Sequence, residues 1–226
     1  MFEEILLKDR TTGKNILWAN AEHGDKEITL EDIPTIKPRH EKNSQDKKQR
    51  AKDRAEIFTP PEVCKIQNDL IDFDKKDWQG YVEKKVLEIT CGEAPYLVNR
   101  YNAVTGKVIP IEKRVGILDR KLRVVSAETS SVADWLHWAI HAVQSVYGYE
   151  FQGDNLFLAR QNVFETVKDF YPKNFSKPPE DFLLQVAEII SWNLWQMDGL
   201  KKLEPLFGKK IMDWKENKII IFDSLL

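Results

Sequence analysis

Residues 86–97 read VLEITCGEAPYL, and this stretch decides the fold. The apolar run 86–89 has the length and composition of a buried strand, and it passes directly into Thr90-Cys91-Gly92. A turn of small residues at the carboxyl end of a strand leaves backbone N–H groups exposed. Open α/β sheets bind nucleotide-like ligands at such turns. The stretch therefore predicts the first strand and ligand loop of a mostly parallel sheet. Glu88 closes the strand, and Thr90, Cys91 and Gly92 present their backbones to a ligand.

Downstream, the pattern alternates between strand and helix. A helix is expected over 93–101, a turn over 102–106 and a short extended piece over 108–111. Residues 119–125 fit a helix or a strand equally well. A helix is expected over 131–146, then a second strand over 147–150 that ends on Glu150, then a helix over 153–170. A proline-containing loop covers 171–179, a helix 180–194 and a third strand 218–222, with Asp223 at its end. Such alternation argues for parallel α/β packing with helices on both faces. An acid ending the second strand can accept both hydroxyl hydrogens of a ribose, which singles out Glu150. Phe151 and Phe222 stand next to the two later strand-end acids; each is either a stacking platform for a base or a core residue.

Upstream, residues 1–55 read as a small N-terminal appendage and residues 56–226 as the main domain. A short strand is expected over 16–18, and Ile33-Pro34 and Lys37-Pro38 interrupt regular structure. Thr59-Pro60-Pro61-Glu62 predicts a helix start, with Thr59 as the cap and Pro60 at the first helical position. The helix then runs to about residue 72 with Val63, Ile66, Leu70 and Ile71 on one face. Between Lys37 and Arg54 there are eight Lys or Arg and three Asp or Glu. Lys47, Lys48, Arg50, Lys52 and Arg54 are the candidate contacts to phosphates. The alternative reading of this stretch is a solvated arm or helix face.

Composition narrows the function classes. The chain has 226 residues, 42% of them hydrophobic and 31% charged, with a net charge of -2, as in a globular protein with one substantial core or a core plus a small lobe. Its two cysteines, Cys64 and Cys91, lack the spacing of a zinc site or a disulfide framework. His137 and His141 share a helix face, but HWAIH lacks the glutamate of a zinc-protease helix, and no metal site is expected. No run approaches the roughly 18 apolar residues of a membrane span, and no signal peptide is visible, so a cytoplasmic protein is expected. Glu112, Lys113, Arg114, Asp119, Arg120, Lys121 and Arg123 form a charged insertion, read as a solvated face, with phosphate contact as the alternative for its basic members.

Several segments, in order, resemble the gamma-type adenine-N6-specific DNA methyltransferases of restriction-modification systems. Ile57-Phe58-Thr59-Pro60-Pro61 resembles the family's Thr-Pro segment. Residues 87–94, LEITCGEA, resemble the S-adenosylmethionine (SAM) loop, and Tyr147-Gly148-Tyr149-Glu150 the acidic strand end. Residues 220–226, IIFDSLL, resemble the adenine-binding motif. The phrases LEITCGEAPYLVNRY, GILDRKLRVV and VYGYEFQGDNLFLAR are similar to a subgroup of restriction-system modification subunits. The resemblance covers residues 56–226.

The resemblance implies a partial Rossmann-like SAM-dependent methyltransferase sheet with SAM as cofactor. In that reading Glu88 organises the loop and contacts the amino-acid end of SAM, and Thr59 and Pro60 close over the same end. Glu150 takes the ribose, Asp223 the adenine amino group, and Phe222 or Phe151 the adenine face. Two departures matter. Ala94 stands where the family has its second glycine, and the catalytic Asn-Pro-Pro-Tyr occurs nowhere in the chain. No catalytic residue is therefore assigned. The chain is expected to supply the methyl-donor portion of an enzyme on double-stranded DNA, and to be inactive alone. The missing motif would come from a second chain or, in another arrangement, the chain pairs with its own copy. The competing expectation is a non-catalytic accessory protein with a methyltransferase-like fold that binds DNA or a restriction complex.

Overall fold

The computed structural model describes residues 1–20, 22–54, 56, 59–173, 177–197 and 210–221, and excludes the side chains of Asp53 and Arg54. The expected roles of Phe222 and Asp223, of the Arg54 side chain and of Ile57-Phe58 lie outside the described residues. The helices are α1 (Phe2–Leu7), α2 (Ser44–Arg54), α3 (Pro61–Asn68), α4 (Trp78–Glu83), α5 (Ile117–Glu128), α6 (Val132–Gln144), α7 (Gly153–Phe170) and α8 (Glu180–Asn193). The strands are β1 (Val86–Glu88), β2 (Val146–Glu150), β3 (Leu194–Gln196), β4 (Lys210–Asp213) and β5 (Lys218–Ile221).

The architecture is α/β. Strands β1, β2 and β3 form a parallel sheet in that order, with Val86 opposite Val146 and Gly148 opposite Leu194. Side chains alternate across the pleat. Val146 and Leu194 enter the main core among the helices, whereas Tyr147, Tyr149 and Trp195 pack on the other side with Ile211 of β4. Gly148 lies under the loop after β1, where a Cβ would stand 3.2 Å from both Cβ and Sγ of Cys91. Helix α7 starts at Gly153, where a Cβ would strike the Leu17 carbonyl.

Helices α6, α7 and α8 fall within a residue or two of the expected positions, because their apolar periodicity runs over three turns or more. Other elements differ. The third parallel strand is β3, not 218–222; β5 instead pairs antiparallel with β4, Met212 opposite Ile219. Leu194 follows α8 directly with an extended backbone, so periodicity alone does not separate this three-residue strand from the helix before it. The helix expected over 93–101 is a series of turns. Ala94 adopts a left-handed φ of 62° and Pro95 lacks an N–H, and together they stop a helix from starting. Pro60, not Thr59, occupies the N-cap of α3, with no side-chain cap, and α3 ends at Asn68.

Within the stretch expected as an appendage, 1–55, Leu6, Leu7, Ile16, Trp18 and Ile28 are buried in the main core cluster. Only isolated bridges, such as Leu17 with Glu27, stand where the strand at 16–18 was expected. The link is Arg160, fully buried on α7. Its Nη1 donates to the carbonyls of Leu6 (2.6 Å) and Lys8 (2.9 Å), its Nη2 to Ser191 (3.2 Å) and Leu194 (2.6 Å), and its Nε to Leu194 (2.9 Å). One guanidinium thus holds the end of α1 against the α8–β3 junction. Gln196 adds a second tie, accepting from Leu17 N–H and donating to the Leu17 carbonyl.

The charged insertion is also part of the interior. Arg114, Asp119 and Lys121 are buried, so the solvated-face expectation fails for them. Lys121 Nζ donates to the Lys84 carbonyl (2.5 Å) and Ser145 Oγ (2.6 Å), tying α5 to the starts of β1 and β2. Arg120 pairs with Asp69 at 2.7 Å, and Arg123 Nη2 donates to the carbonyls of Ile111 and Arg114.

Candidate functional site

The loop after β1 bends through three left-handed residues, Thr90 (φ 50°), Gly92 (φ 56°) and Ala94 (φ 62°). Only the glycine adopts that conformation without steric cost. The two strand-end acids hold the loop in place. Gly92 N–H donates to Glu150 Oε2 at 2.9 Å, and Gln152 N–H to Glu150 Oε1 at 3.0 Å. Tyr96 and Leu97 N–H donate to Glu88 Oε1 and Oε2 at 3.3 and 3.2 Å. Cys91 N–H donates to the Tyr149 carbonyl at 2.8 Å, and Ala94 N–H to the Cys91 carbonyl at 2.7 Å.

The electrostatics follow from burial. Desolvation pushes Glu88 up to about 8, against the pull of the Tyr96 and Leu97 amides and with a further push from Glu150. Glu150 is also raised, first by burial, with the amides of Gln152 and Gly92 acting in the opposite sense. Cys91 is buried, and desolvation followed by the two acids holds its thiol well above the usual range. A thiol in this state is a packing group and not a nucleophile.

A layer of charge that sequence reasoning missed covers these strand ends. The stretch around α2 folds over them. Arg39 N–H donates to Glu93 Oε1 at 2.6 Å, and Lys42 Nζ pairs with Asp154 Oδ2 at 3.0 Å. Arg50 lies between Glu56 (Nε to Oε2, 2.6 Å) and Asp154 (Nη1 to Oδ2, 2.9 Å). Glu56 also accepts from Gln152 Nε2 and Asn155 Nδ2, next to Glu150. Glu93 accepts from the Tyr101 hydroxyl at 2.6 Å, and Asn162 donates to that hydroxyl and to the Glu93 carbonyl. The lone signal in the sequence was the interleaving of acids and bases over 37–56.

The expected site residues therefore divide. Glu88, Thr90, Cys91, Gly92 and Glu150 come together at the carboxyl ends of β1 and β2. Phe151 follows Glu150, and its carbonyl accepts from Gln196 Nε2. Thr59 and Pro60 lead into α3, which reaches the loop through Asn68 Nδ2 donating to the Tyr96 carbonyl at 3.0 Å. Arg50 turns inward to its two carboxylates and not out to phosphates, because burial makes a cation seek an acid within reach. Lys47 Nζ donates to the His40 carbonyl, and Lys48 and Lys52 are exposed.

Among the described residues this arrangement does not offer SAM a cradle. The amides of Cys91, Gly92, Ala94, Tyr96 and Leu97 are all engaged within the chain. Glu150 keeps one lone pair free on each oxygen but is 7% exposed. Two cavities among the described residues lie away from these strand ends. One of about 500 Å³ is bounded by Arg123, Ser131, Trp135, Asp169 and Tyr171. One of about 210 Å³ lies between Leu87, Tyr147, Trp195 and the β4–β5 hairpin. Among the described residues the strand order runs 1-2-3 without the reversal that makes a switch-point crevice.

His137 and His141 have ring centroids 4.6 Å apart, and His141 Nδ1 lies 2.9 Å from Glu83 Oε1. Among the described residues no group of three or more His, Cys, Asp or Glu is placed to hold a metal, and no helix is long and apolar enough to cross a membrane. No family model, curated protein or solved structure matches the chain.

Proposed function

We propose that this chain is the SAM-binding portion of an adenine-N6 DNA methyltransferase of a restriction-modification system, in a closed state. The observation that carries the reading is the meeting of Gly92 N–H with the Glu150 carboxylate across the ends of β1 and β2. A tight loop after one parallel strand and an acid ending the next are the two parts a Rossmann-like sheet needs for an adenosyl ligand, and strand order 1-2-3 is one half of such a sheet. The ordered sequence resemblance over 56–226 supports the same conclusion.

In the complete enzyme the reaction would be methyl transfer from SAM to adenine N6 in duplex DNA, with the base flipped out of the helix. The Asn-Pro-Pro-Tyr acceptor motif is not among these 226 residues. Leu87 and Ile89, 40% and 62% exposed on and beside β1, an edge strand among the described residues, are suited to cover by a protein partner or a second copy. A cytoplasmic location goes with this reading.

A second reading has one observation in its favour: the loop's amides already have acceptors inside the chain. It makes the protein a non-catalytic accessory with a methyltransferase-like fold that binds DNA or a restriction complex. Calorimetric titration with SAM, on wild type and Glu150→Ala, decides between the two. Saturable binding by wild type that the variant loses supports the first reading. DNA binding without any SAM binding selects the second, and equal SAM affinity in both proteins removes Glu150 from the site.

A further inference from the structure

We propose that the cavity of about 500 Å³ between α5, the start of α6 and the end of α7 binds a phosphate monoester carried on an apolar or aromatic body. The site lies away from the strand ends and does not depend on the SAM-binding reading.

The cavity is lined by hydrogen-bond donors that the fold leaves unused. Arg123 Nη2 donates to the carbonyls of Ile111 (3.1 Å) and Arg114 (2.9 Å). Among the described residues its Nε and Nη1 have no acceptor, and no carboxylate stands within ion-pair distance of it. Ser126 Oγ accepts from Trp135 Nε1 at 3.0 Å, which leaves its own proton free to donate. Ser130 and Lys173 add donors from two further segments. The charge balance favours an anion. Asp169 lines the cavity but is taken by Arg100 (3.1 Å) and Arg114 (2.7 Å), and Glu112 is exposed. Asp119, fully buried, lies within the field of Arg114 and Arg123, and burial pushes its carboxyl up to about 7, so it supplies part of a counter-charge near neutral pH. Four cations, Arg100, Arg114, Arg123 and Lys173, thus meet two full acids and one partial one, and an incoming anion restores the balance.

Donors on three segments, at Arg123 and Ser126, at Ser130 and at Lys173, suit a group whose oxygens point apart. A phosphate monoester offers three strong acceptor oxygens, whereas a carboxylate offers two in one plane. Arg, Lys and Ser side chains are also the usual partners of phosphate oxygens. The remaining wall is apolar: Ile111, Val132 and Phe170, with Trp135 set against Tyr171 at 5.6 Å and 90°. A volume of about 500 Å³ lies in the range of small-molecule sites and far exceeds one phosphate group, so an apolar body is needed to fill it. Within the charged insertion Lys121 is buried and Arg120 pairs with Asp69, whereas the surroundings of Arg123 fit phosphate contact better than a solvated face.

The probe is naphthyl phosphate, titrated calorimetrically into wild type, Arg123→Gln and Lys173→Gln, with amide shifts mapped by NMR. Naphthol, inorganic phosphate and a short DNA duplex serve as comparisons. The expected result is saturable binding of naphthyl phosphate to wild type, weakened about tenfold or more by Arg123→Gln and up to about fivefold by Lys173→Gln. Naphthol and inorganic phosphate should each bind more weakly, and the shifts should centre on Ser126, Ser130 and Val132. Should Arg123→Gln fail to fold, Lys173→Gln and the shift map decide. No binding by wild type, unchanged affinity in folded Arg123→Gln, or shifts centred on the strand ends overturns the proposal. Equal binding of naphthol removes the role of the anion, and equal binding of inorganic phosphate removes the apolar body; either result overturns it too. Displacement of the probe by the duplex, with the same dependence on Arg123, assigns the cavity to nucleic-acid phosphate and overturns the small ligand.

Discussion

Glu88 and Glu150 end adjacent parallel strands and grip the same loop, Glu88 through the N–H groups of Tyr96 and Leu97 and Glu150 through that of Gly92. The loop after β1 is thus set by two buried acids that also repel each other. Those two carboxylates account for where the amides of Gly92, Tyr96 and Leu97 point.

Glu88 makes stability fall as pH rises. Its carboxyl titrates at about 8 in the fold against an ordinary 4.5, so the folded state holds the extra proton between those values. The native advantage is complete below about 4.5 and is lost as pH climbs to about 8, with roughly 1.4 kcal/mol given up for each pH unit crossed. Glu150, also raised, acts in the same direction. Glu88→Gln should flatten this part of the profile. It should be less stable than wild type near pH 5, where its amide opposes one of the two N–H donors, and more stable near pH 8. Urea midpoints across that range check the crossing, and parallel curves for the two proteins would refute it.

Thr90 is exposed with φ at 50°, a conformation that a β-branched residue adopts only under strain. Thr90→Gly should stabilise the fold by about 1 kcal/mol, since the lost hydroxyl reaches only the adjacent Ile89 carbonyl. Thermal unfolding measures the gain, and a lower midpoint would show that the loop relies on the threonine.

Arg160→Met should cost about 3 kcal/mol, because the carbonyls of Leu6, Lys8, Ser191 and Leu194 would lose a buried donor. Amide exchange should rise first in α1, whose end that guanidinium holds. Uniform loss of protection across the chain would contradict this account.

Gly148→Val should destabilise by about 1–3 kcal/mol through crowding against Cys91, already at 3.2 Å from a single added carbon. Pairing it with Cys91→Ala should recover part of the loss. A double-mutant cycle in denaturant reads the coupling, and strict additivity would place the crowding elsewhere.

The sequence by itself determined β1, β2, the three long helices α6 to α8, and the two acids that meet at the loop. Each of these is written in a contiguous pattern: an apolar run with a small-residue turn after it, or periodicity sustained over several turns. It did not determine β3, where three residues carry no period of their own, nor the turns over 93–101, which a left-handed Ala94 imposes. The charges around α2 are the clearest case. Taken locally, KPRHEK and KKQRAK are a cationic face; in the fold Lys42 and Arg50 are drawn to Asp154, more than a hundred residues away. Arg160 likewise finds Leu6 across 154 positions. Tertiary structure decides such pairings because a desolvated charge takes the best partner within reach in space, and distance along the chain has no weight in that choice.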